Sequence, residues 1–262
     1  MNKNSHRHSL IYSFCLSAAL AVNPPPAQAL PVVSDTVPGN VSVQNVGLKE
    51  LQITAGDGAI LHHYSFDVAA DETVRFIQPG ADARVLNRIT GAGPSRIDGQ
   101  LLGNGHVYIV NPAGVIFGSS STVQVGKLHA IAGVLADQDF LAEVDRYSSL
   151  SGEIQNQGSI TAGEVVLAGA TLSNSGRIIA PDGLVVLAAG SALEVASAND
   201  SVTVSLESPA PGSENAGALL SVGDLAGQAL WHSGVVEASR LEIHASTMVV
   251  SGQVAAHSVN VG

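Results

Sequence analysis

The stretch "NGHVYIVNPAGVIFG", residues 104–118, places a tight turn between two short apolar segments. Both segments are rich in β-branched and aromatic residues, which are typical of β-strands. Between them, Pro112 suits the second position of a β-turn, and Gly114 can adopt backbone conformations that are forbidden to residues with a Cβ atom. The side chain of Asn111 is able to hydrogen-bond the backbone two residues further on. None of these residues is a typical catalyst, so we interpret the turn as an element of shape and recognition.

Beyond this turn, the chain repeats itself at intervals of eighteen to twenty residues. The triplet "NQG" that begins at Asn156 returns as "NSG" at Asn174, and "VVLA" at 165–168 returns at 185–188. Each repeat reads as two or three strands of three to five residues, separated by Gly, Asn, Ser or Asp-Gly turns. Internal similarity at such a short period is typical of a solenoid in which every turn of chain stacks on the one before.

The repeats predict an all-β protein that folds as a parallel β-helix. Stacked coils explain why like residues recur at like positions, and we expect Asn156 to lie over Asn174 in a side-chain amide ladder. The alternative, compatible with the first, is that both asparagines occupy left-handed turn positions. At about 4.8 Å per layer, we expect ten to twelve coils and a rod about 50 Å long. An antiparallel β-sandwich also contains many short strands and is the alternative fold.

The segment 30–68 lacks the repeat and contains Pro31, Pro38 and Gly39. Because an open stack of strands exposes its terminal edges to other chains, we interpret this segment as an N-terminal cap on the first coil. Residues 151–262 are expected to form further coils, and the repeat is still in progress where the sequence stops.

Residues 1–29 have the layout of a secretory signal peptide. Lys3 and Arg7 precede an uncharged apolar run at 10–22, and "AQA" at 27–29 offers a cleavage site. A buried helix is the alternative, which the three consecutive prolines at 24–26 oppose. Cleavage would remove Cys15, the only cysteine, so the exported chain would rely on packing and hydrogen bonds rather than on disulfides.

Composition limits the classes of partner. The formal net charge of −11 argues against nucleic acid as a partner, because phosphate backbones are bound by positive surfaces. Acidic disordered chains are poor in aliphatic residues, whereas hydrophobic residues make up 45% of this chain. We therefore expect a folded protein with an aliphatic core.

Residues 60–133 contain "SFDV", "VRFIQP", "LNRITG", "PSRIDGQL", "NGHVYIVNP" and "GVIFG", in this order. Over this region the chain resembles the N-terminal secretion domain of filamentous-haemagglutinin-like exoproteins, the cargo of two-partner secretion in Gram-negative bacteria. The resemblance implies a right-handed, single-stranded parallel β-helix with an N-terminal cap, and a secretion domain over 30–150. It also implies export through the periplasm to the cell surface or the medium.

The expected partner is a pore-forming outer-membrane transporter that recognises the exoprotein through periplasmic domains. In the family the hallmark turn reads Asn-Pro-Asn-Gly, and here Asn111, Pro112 and Gly114 match it while Ala113 replaces the second asparagine. The turn either contacts the transporter or only shapes the fold. We expect the exported rod to be adhesive, binding a host or neighbouring cell surface. A toxin-delivery or haemolysin-type exoprotein and a β-helix polysaccharide-degrading enzyme are the alternatives.

No catalytic residue, cofactor site or metal site is predicted. Glycan-degrading β-helices need acidic residues grouped on one face, whereas those of this chain are scattered. The densest acidic group, 136–147, is expected to form a solvated excursion, with weak calcium binding as the alternative. Adjacent positions in a strand point His62 and His63 to opposite faces. The other histidines considered are expected at the surface or at edges without partners: His129, His232, His244 and His257.

Overall fold

The structure is a computed structural model that describes residues 30–37, 40–198, 201–207, 229–245 and 247–261. The predicted signal peptide lies outside the described residues. About two-thirds of the described residues are in β-strands, and the one helix among them has five residues. Within these ranges, no helix has the length and hydropathy needed to span a membrane.

The strands follow one another in short segments. The first ten are β1 (Val32–Val37), β2 (Val41–Val46), β3 (Glu50–Ala55), β4 (Ala59–Ser65), β5 (Thr73–Ile77), β6 (Arg84–Ile89), β7 (Ser95–Ile97), β8 (Gln100–Gly103), β9 (His106–Val110) and β10 (Gly114–Phe117). The middle of the chain contains β11 (Thr122–Gln124), β12 (Lys127–Ile131), β13 (Val134–Leu135), α1 (Asp137–Leu141), β14 (Asp145–Ser148), β15 (Glu153–Asn156), β16 (Ser159–Thr161), β17 (Glu164–Gly169), β18 (Thr171–Asn174) and β19 (Arg177–Ala189). The last elements are β20 (Ala192–Ala198), β21 (Ser201–Glu207), β22 (Ala229–His232), β23 (Val235–Ala245), β24 (Thr247–Val250) and β25 (Gln253–Val261).

These strands stack in parallel to form three faces of a rod. The first face contains β4, β6, β9, β12 and β17, and the second contains β3, β5, β8, β11 and β16; β19, β23 and β25 extend across both. The third face contains β7, β10, β15, β18, β22 and β24. Repeated residues lie directly over one another, as in the pairs Asn156–Asn174 and Val165–Val185. The predicted parallel β-helix is confirmed, and the alternative β-sandwich is wrong.

The stack is shorter than the sequence predicted. Among the described residues the first and second faces each contain eight parallel layers and the third contains six, rather than ten to twelve. Eight layers correspond to a height of about 34 Å. The prediction was too high because it divided the entire length after the signal peptide by the repeat, whereas the chain leaves the rod after β12 and again after β19.

Two antiparallel strands close the N-terminal end. Strand β1 pairs antiparallel with β4 on the first face, and β2 pairs antiparallel with β3 on the second. The predicted cap is therefore present, but it is shorter than residues 30–68, since β3 and β4 already run parallel to β5 and β6. Antiparallel pairing ends the stack because the next parallel layer would need a different hydrogen-bond register.

The interior of the rod is a continuous aliphatic column with a few aromatic rings near the cap. Its fully buried members include Ile53, Leu61, Phe66, Phe76, Leu101, Ile109, Phe117, Ile154, Ile160, Leu167, Leu172, Val185 and Leu187. Alternating strand residues point inward, so one hydrophobic residue in two is enough to fill each layer. This is the core that the composition predicted.

A second hydrophobic core covers the outer side of the first face. The segment that leaves the rod after β12 and the strands that follow β19 form a four-stranded antiparallel sheet in the order β13, β14, β20, β21. Phe140 and Tyr147 are buried against Tyr108 and Val166 of the rod. The excursion predicted at 136–147 is present and most of its residues are exposed, but it is not wholly solvated, because Phe140 and Tyr147 are buried against the rod and Asp145 faces it.

Candidate functional site

The turn at residues 111–114 links β9 on the first face to β10 on the third. The backbone N–H of Gly114 donates to the carbonyl of Asn111 at 2.9 Å, which closes a β-turn. The N–H of Ala113 donates to Asn111 Oδ1 at 2.9 Å, the hydrogen bond that the sequence predicted for this asparagine. Gly114 has a φ of +120°, a conformation that residues with a Cβ atom rarely adopt.

The side chain of Asn111 anchors this turn to the layer below it. Asn111 is fully buried, and its Nδ2 donates to the Gly93 carbonyl at 3.0 Å and to Ser95 Oγ at 3.1 Å. Its backbone N–H donates to the Ile131 carbonyl at 2.9 Å. Asn111 thus hydrogen-bonds residues on both sides of the corner. No other side chain of similar size combines the donor and the acceptor that its carboxamide supplies.

The layer above fits tightly on the same turn. Ser151 Oγ donates to the Pro112 carbonyl at 3.1 Å. A Cβ atom on Gly152 would lie 2.6 Å from that carbonyl oxygen, and one on Gly114 would lie 2.7 Å from the Glu153 carbonyl oxygen. Both distances are shorter than any normal contact, so the two glycines are needed for the layers to approach.

The three residues predicted for recognition therefore lie in one turn, but they differ in exposure. Asn111 and Gly114 are buried, Ala113 is half-buried, and Pro112 is exposed. A partner that binds the folded domain at this corner would contact Pro112 and Ala113 rather than the two buried residues. The contact itself stays a prediction.

Asparagines also form the ladder that the repeat predicted. Asn156 Nδ2 donates to Asn174 Oδ1 at 2.8 Å, and Asn174 Nδ2 lies 3.0 Å from His232 Nδ1 in the next layer. His232 is buried, contrary to its predicted place at the surface. Burial lowers the pKa of His232, against the opposing effect of backbone groups at Gln253 and Asn174. The neutral ring is the form that accepts from Asn174.

A polar cluster that the sequence did not predict lies beneath the four-stranded sheet. His129, on β12, was expected at the surface but has a side chain only 1% exposed. Its Nε2 lies 3.3 Å from Glu164 Oε1 on β17, and its Nδ1 lies 3.8 Å from Asp145 Oδ1 on β14. The ring also stacks at a tilt on Tyr108, with 4.3 Å between centroids. No sequence pattern predicted this cluster, because Asp145 lies outside the repeat that brings the other two residues together.

The Glu164 carboxylate of this cluster is ionised at neutral pH. Burial alone would raise the pKa of Glu164, but the hydrogen bond and charge of His129, with Lys127, lower it to about 2. Burial and the neighbouring Asp145 raise the pKa values of Tyr108 and Tyr147, so both phenols keep their protons.

The remaining histidines divide as follows. His63 is fully buried with its ring edge against Phe66, while His62 is half-buried, so the two point to opposite faces as predicted. His244 is buried beside Glu242, which corrects its predicted surface position. His257 is exposed, as predicted.

A family model described as "TPS secretion domain" matches residues 27–260, which is most of the chain. The chain belongs to the two-partner secretion (TPS) domain family. The resemblance read from residues 60–133 is thereby confirmed, and the match extends over the later coils as well. The family is defined by secretion and is not a known enzyme family.

Two curated proteins are similar to this chain in sequence. The chain is 31% identical over 193 residues to the heme/hemopexin-binding protein of Haemophilus influenzae strain Rd, covering 69% of this chain and 21% of that protein. A second heme/hemopexin-binding protein from Haemophilus influenzae is 33% identical over 141 residues, 53% of this chain and 14% of the relative. This TPS chain thus spans about a fifth or less of the length of these curated relatives.

Solved TPS domains share the fold. The crystal structure of the HMW1 secretion domain from Haemophilus influenzae superposes with a TM-score of 0.65 at 21% identity, covering 86% of this chain and 64% of that one. The filamentous hemagglutinin secretion domain superposes with a TM-score of 0.57 at 16% identity, covering 89% and 97%. As a TPS domain, this chain is the secretion domain of an exoprotein that crosses the outer membrane with the help of a partner transporter of the TpsB type.

Proposed function

We propose that this TPS domain docks on the periplasmic domains of its transporter and then starts β-helix folding at the cell surface. In this proposal, residues 1–29 direct the chain through the inner membrane, and the N-terminal cap is the first part to fold outside. The observation that supports it is the architecture: one end of the stack is closed by β1 and β2, and each later coil packs on the coil before it. Folding that begins at the cap can therefore proceed only toward the C-terminus.

The coils contain enough apolar area to bias the chain outward. Val165 and Leu167 in one layer lie over Val185 and Leu187 in the next, and all four are fully buried in the inner core. Full burial of one such side chain stabilises the folded state by about 1.5–3 kcal/mol. Each coil that folds outside would thus oppose the return of the preceding segment into the pore, with no need for a nucleotide.

A double substitution tests whether folding drives export. Val165→Asp with Val185→Asp places two carboxylates in adjacent layers of the inner core, which destabilises coil stacking because unpaired buried charges are costly. We expect the amount of chain in the medium after a short pulse to fall at least five-fold, with the precursor accumulating in the periplasm. Quantitative immunoblotting of both fractions measures this.

A matched pair serves as the control. Gln124 and Thr161 are register neighbours with exposed side chains, so Gln124→Asp with Thr161→Asp adds the same charge in adjacent layers without entering the core. This variant should be exported at the native rate. Native export of the Val165/Val185 variant would contradict the proposal that folding drives secretion.

The turn at 111–114 is proposed to act mainly by shaping the corner on which later coils stack. Support comes from the burial of Asn111 and from its five hydrogen bonds, three to neighbouring layers and two within the turn. Direct contact with the transporter through Pro112 and Ala113 is the competing role, since these two are the accessible residues of the turn.

We further propose that the exported exoprotein is adhesive. The rod has a long lateral surface, and its acidic composition favours solubility. In this proposal, that surface binds host or neighbouring cells. Binding of the exported protein to cells without chemical turnover would support adhesion. A toxic or haemolytic C-terminal module encoded in the same gene, or depolymerisation of a polysaccharide, would favour the alternatives.

A further inference from the structure

We propose that His129, Asp145 and Glu164 bind one divalent transition-metal ion, with Zn²⁺ as the best-fitting member of the class, and that this ion fastens the four-stranded sheet to the rod. The site depends only on the folded structure and does not rest on the proposed secretion mechanism.

The three ligand groups already lie at metal-binding distances. One imidazole nitrogen and one oxygen from each carboxylate lie within 4.8 Å of one another. His129 Nε2 and Glu164 Oε1 are 3.3 Å apart. Ligand atoms around a tetrahedral Zn²⁺, with bonds of about 2.0–2.2 Å, are separated by about 3.4 Å. The nitrogen–oxygen pair therefore needs almost no movement, and Asp145, whose oxygen lies within 4.8 Å of both atoms, must move closer to complete three protein ligands.

Neighbouring groups hold each ligand in orientation. The phenols of Tyr108 and Tyr147 both donate to Asp145 Oδ1 at 3.1 Å. Lys127 Nζ lies 3.1 Å from Glu164 Oε2, the oxygen that does not face the histidine. Outer partners of this kind fix ligand geometry in known metal sites.

The two ring nitrogens of His129 face different oxygen groups. Nδ1 contacts the Tyr147 hydroxyl, which also lies 3.1 Å from Asp145 Oδ1. Nε2 faces the Glu164 carboxylate at 3.3 Å, so it either donates a proton to that oxygen or binds a cation that the two atoms share. One nitrogen is therefore available to an ion while the other keeps its hydrogen bond to Tyr147.

The site joins segments that are separate in the chain. His129 and Glu164 belong to adjacent layers of the first face, whereas Asp145 belongs to β14 of the four-stranded sheet. Side-chain exposures of 25% for Asp145 and 17% for Glu164 leave a route for an ion to enter, while the histidine is covered. Because unfolded chain does not assemble these ligands, the ion would bind after folding and stabilise the folded state by mass action.

Calorimetric titration of the purified full chain with ZnCl₂ at pH 7, after removal of metal with a chelator, tests the proposal. We expect one ion per chain with a dissociation constant below about 1 μM. Asp145→Asn and Glu164→Gln keep the side-chain shapes and should each weaken binding 10- to 100-fold. The control is His257→Ala, which removes an exposed histidine and should leave binding unchanged.

A spectroscopic measurement on the wild-type chain covers the case in which a variant does not fold. Loading with Co²⁺ should give the visible absorption bands of a four-coordinate site, and X-ray absorption of the Zn²⁺ form should show one imidazole nitrogen among oxygen ligands. Absence of stoichiometric binding, equal binding by both variants and wild type, or a metal shell without imidazole would overturn the proposal and assign a ring proton to this place.

Discussion

At the scale of single residues, Asn111 shows how one amide specifies a corner of the rod. Its oxygen and nitrogen serve opposite sides of the turn: Oδ1 accepts from Ala113, and Nδ2 donates to Gly93 and Ser95. A buried polar group left without a partner costs about 1–3 kcal/mol. The residue is therefore explained by its hydrogen bonds in the fold, whether or not a transporter also contacts the turn.

Substitution of the turn separates shape from contact. Asn111→Ala leaves the Ala113 N–H and the Gly93 carbonyl without this partner, so we expect a loss of about 2–4 kcal/mol in the free energy of unfolding. Pro112→Ala changes the exposed residue and should alter stability by less than about 1 kcal/mol. Urea unfolding of the two purified variants, and their pulse-labelled export, are the measurements.

If the turn acts only by shaping the fold, the export rate of Asn111→Ala should fall in proportion to its loss of stability. The export rate of Pro112→Ala should then equal that of the wild type. Strong loss of export in the Pro112 variant at native stability would instead assign direct transporter contact to the turn. Ala113→Asn, which restores the sequence of the family's hallmark turn, provides a gain-of-function comparison for the second outcome.

At the scale of elements, the excursion that contains α1 and β14 depends on the rod for its core. Phe140 packs its ring edge against Tyr108, with centroids 5.3 Å apart, and the Arg84 guanidinium lies 5.3 Å from the same ring. Arg84 Nη1 also donates to the Phe140 carbonyl at 2.8 Å. The excursion is thus held to the rod by a few contacts, whereas the coils of the rod share a continuous core.

Shortening the Phe140 side chain should unfold the excursion locally while the rod stays folded. Phe140→Ala removes a side chain that is 2% exposed, and such changes cost about 3–5 kcal/mol when the structure cannot collapse. We expect proteolytic cleavage within residues 136–148 to accelerate at least ten-fold under native conditions, while the main thermal transition of the rod moves by only a few degrees.

The control is Leu141→Ala in the same helix, because Leu141 is 57% exposed and should change neither cleavage nor melting. A fall in the main transition of more than about ten degrees for Phe140→Ala would show instead that excursion and rod unfold as one unit.

At the scale of the whole molecule, stability should depend on pH through buried neutral histidines. Burial, with a smaller effect of the neighbouring His62 and against the hydrogen bond to Asn87, lowers the pKa of His63 to about 4. A folded pKa below the unfolded value of about 6.5 means that the contribution is fully present above pH 6.5 and is lost as pH falls toward 4. The shift corresponds to about 3 kcal/mol.

Urea unfolding at pH 7 and at pH 4.5 measures this dependence. We expect the wild type to lose about 2–3 kcal/mol more than His63→Gln, whose amide keeps a donor for Asn87 and does not titrate. His232, whose pKa is also lowered by burial, acts in the same direction in both proteins. Equal losses for wild type and His63→Gln would refute the assignment.

Prediction from sequence succeeded wherever the repeat carries the information. The stacking of Asn156 on Asn174, the hydrogen bond from Ala113 to Asn111, and the aliphatic interior all follow from local turn chemistry and alternating side chains. It failed for His129 and for Phe140 and Tyr147 of the segment 136–147, whose burial depends on a second sheet built from strands about fifty residues apart in sequence.

The amino-acid sequence by itself determined that the chain is a stack of parallel coils, and its motifs assigned it to the TPS family. Only the tertiary structure decided how many layers there are, where the cap ends, and that His129 meets Asp145 and Glu164. The physical reason is one of range. Each coil contacts the coil about twenty residues away in sequence, so its contacts follow a fixed period. The excursion packs on an apolar surface of the folded rod, and its distance in sequence from that surface follows no period.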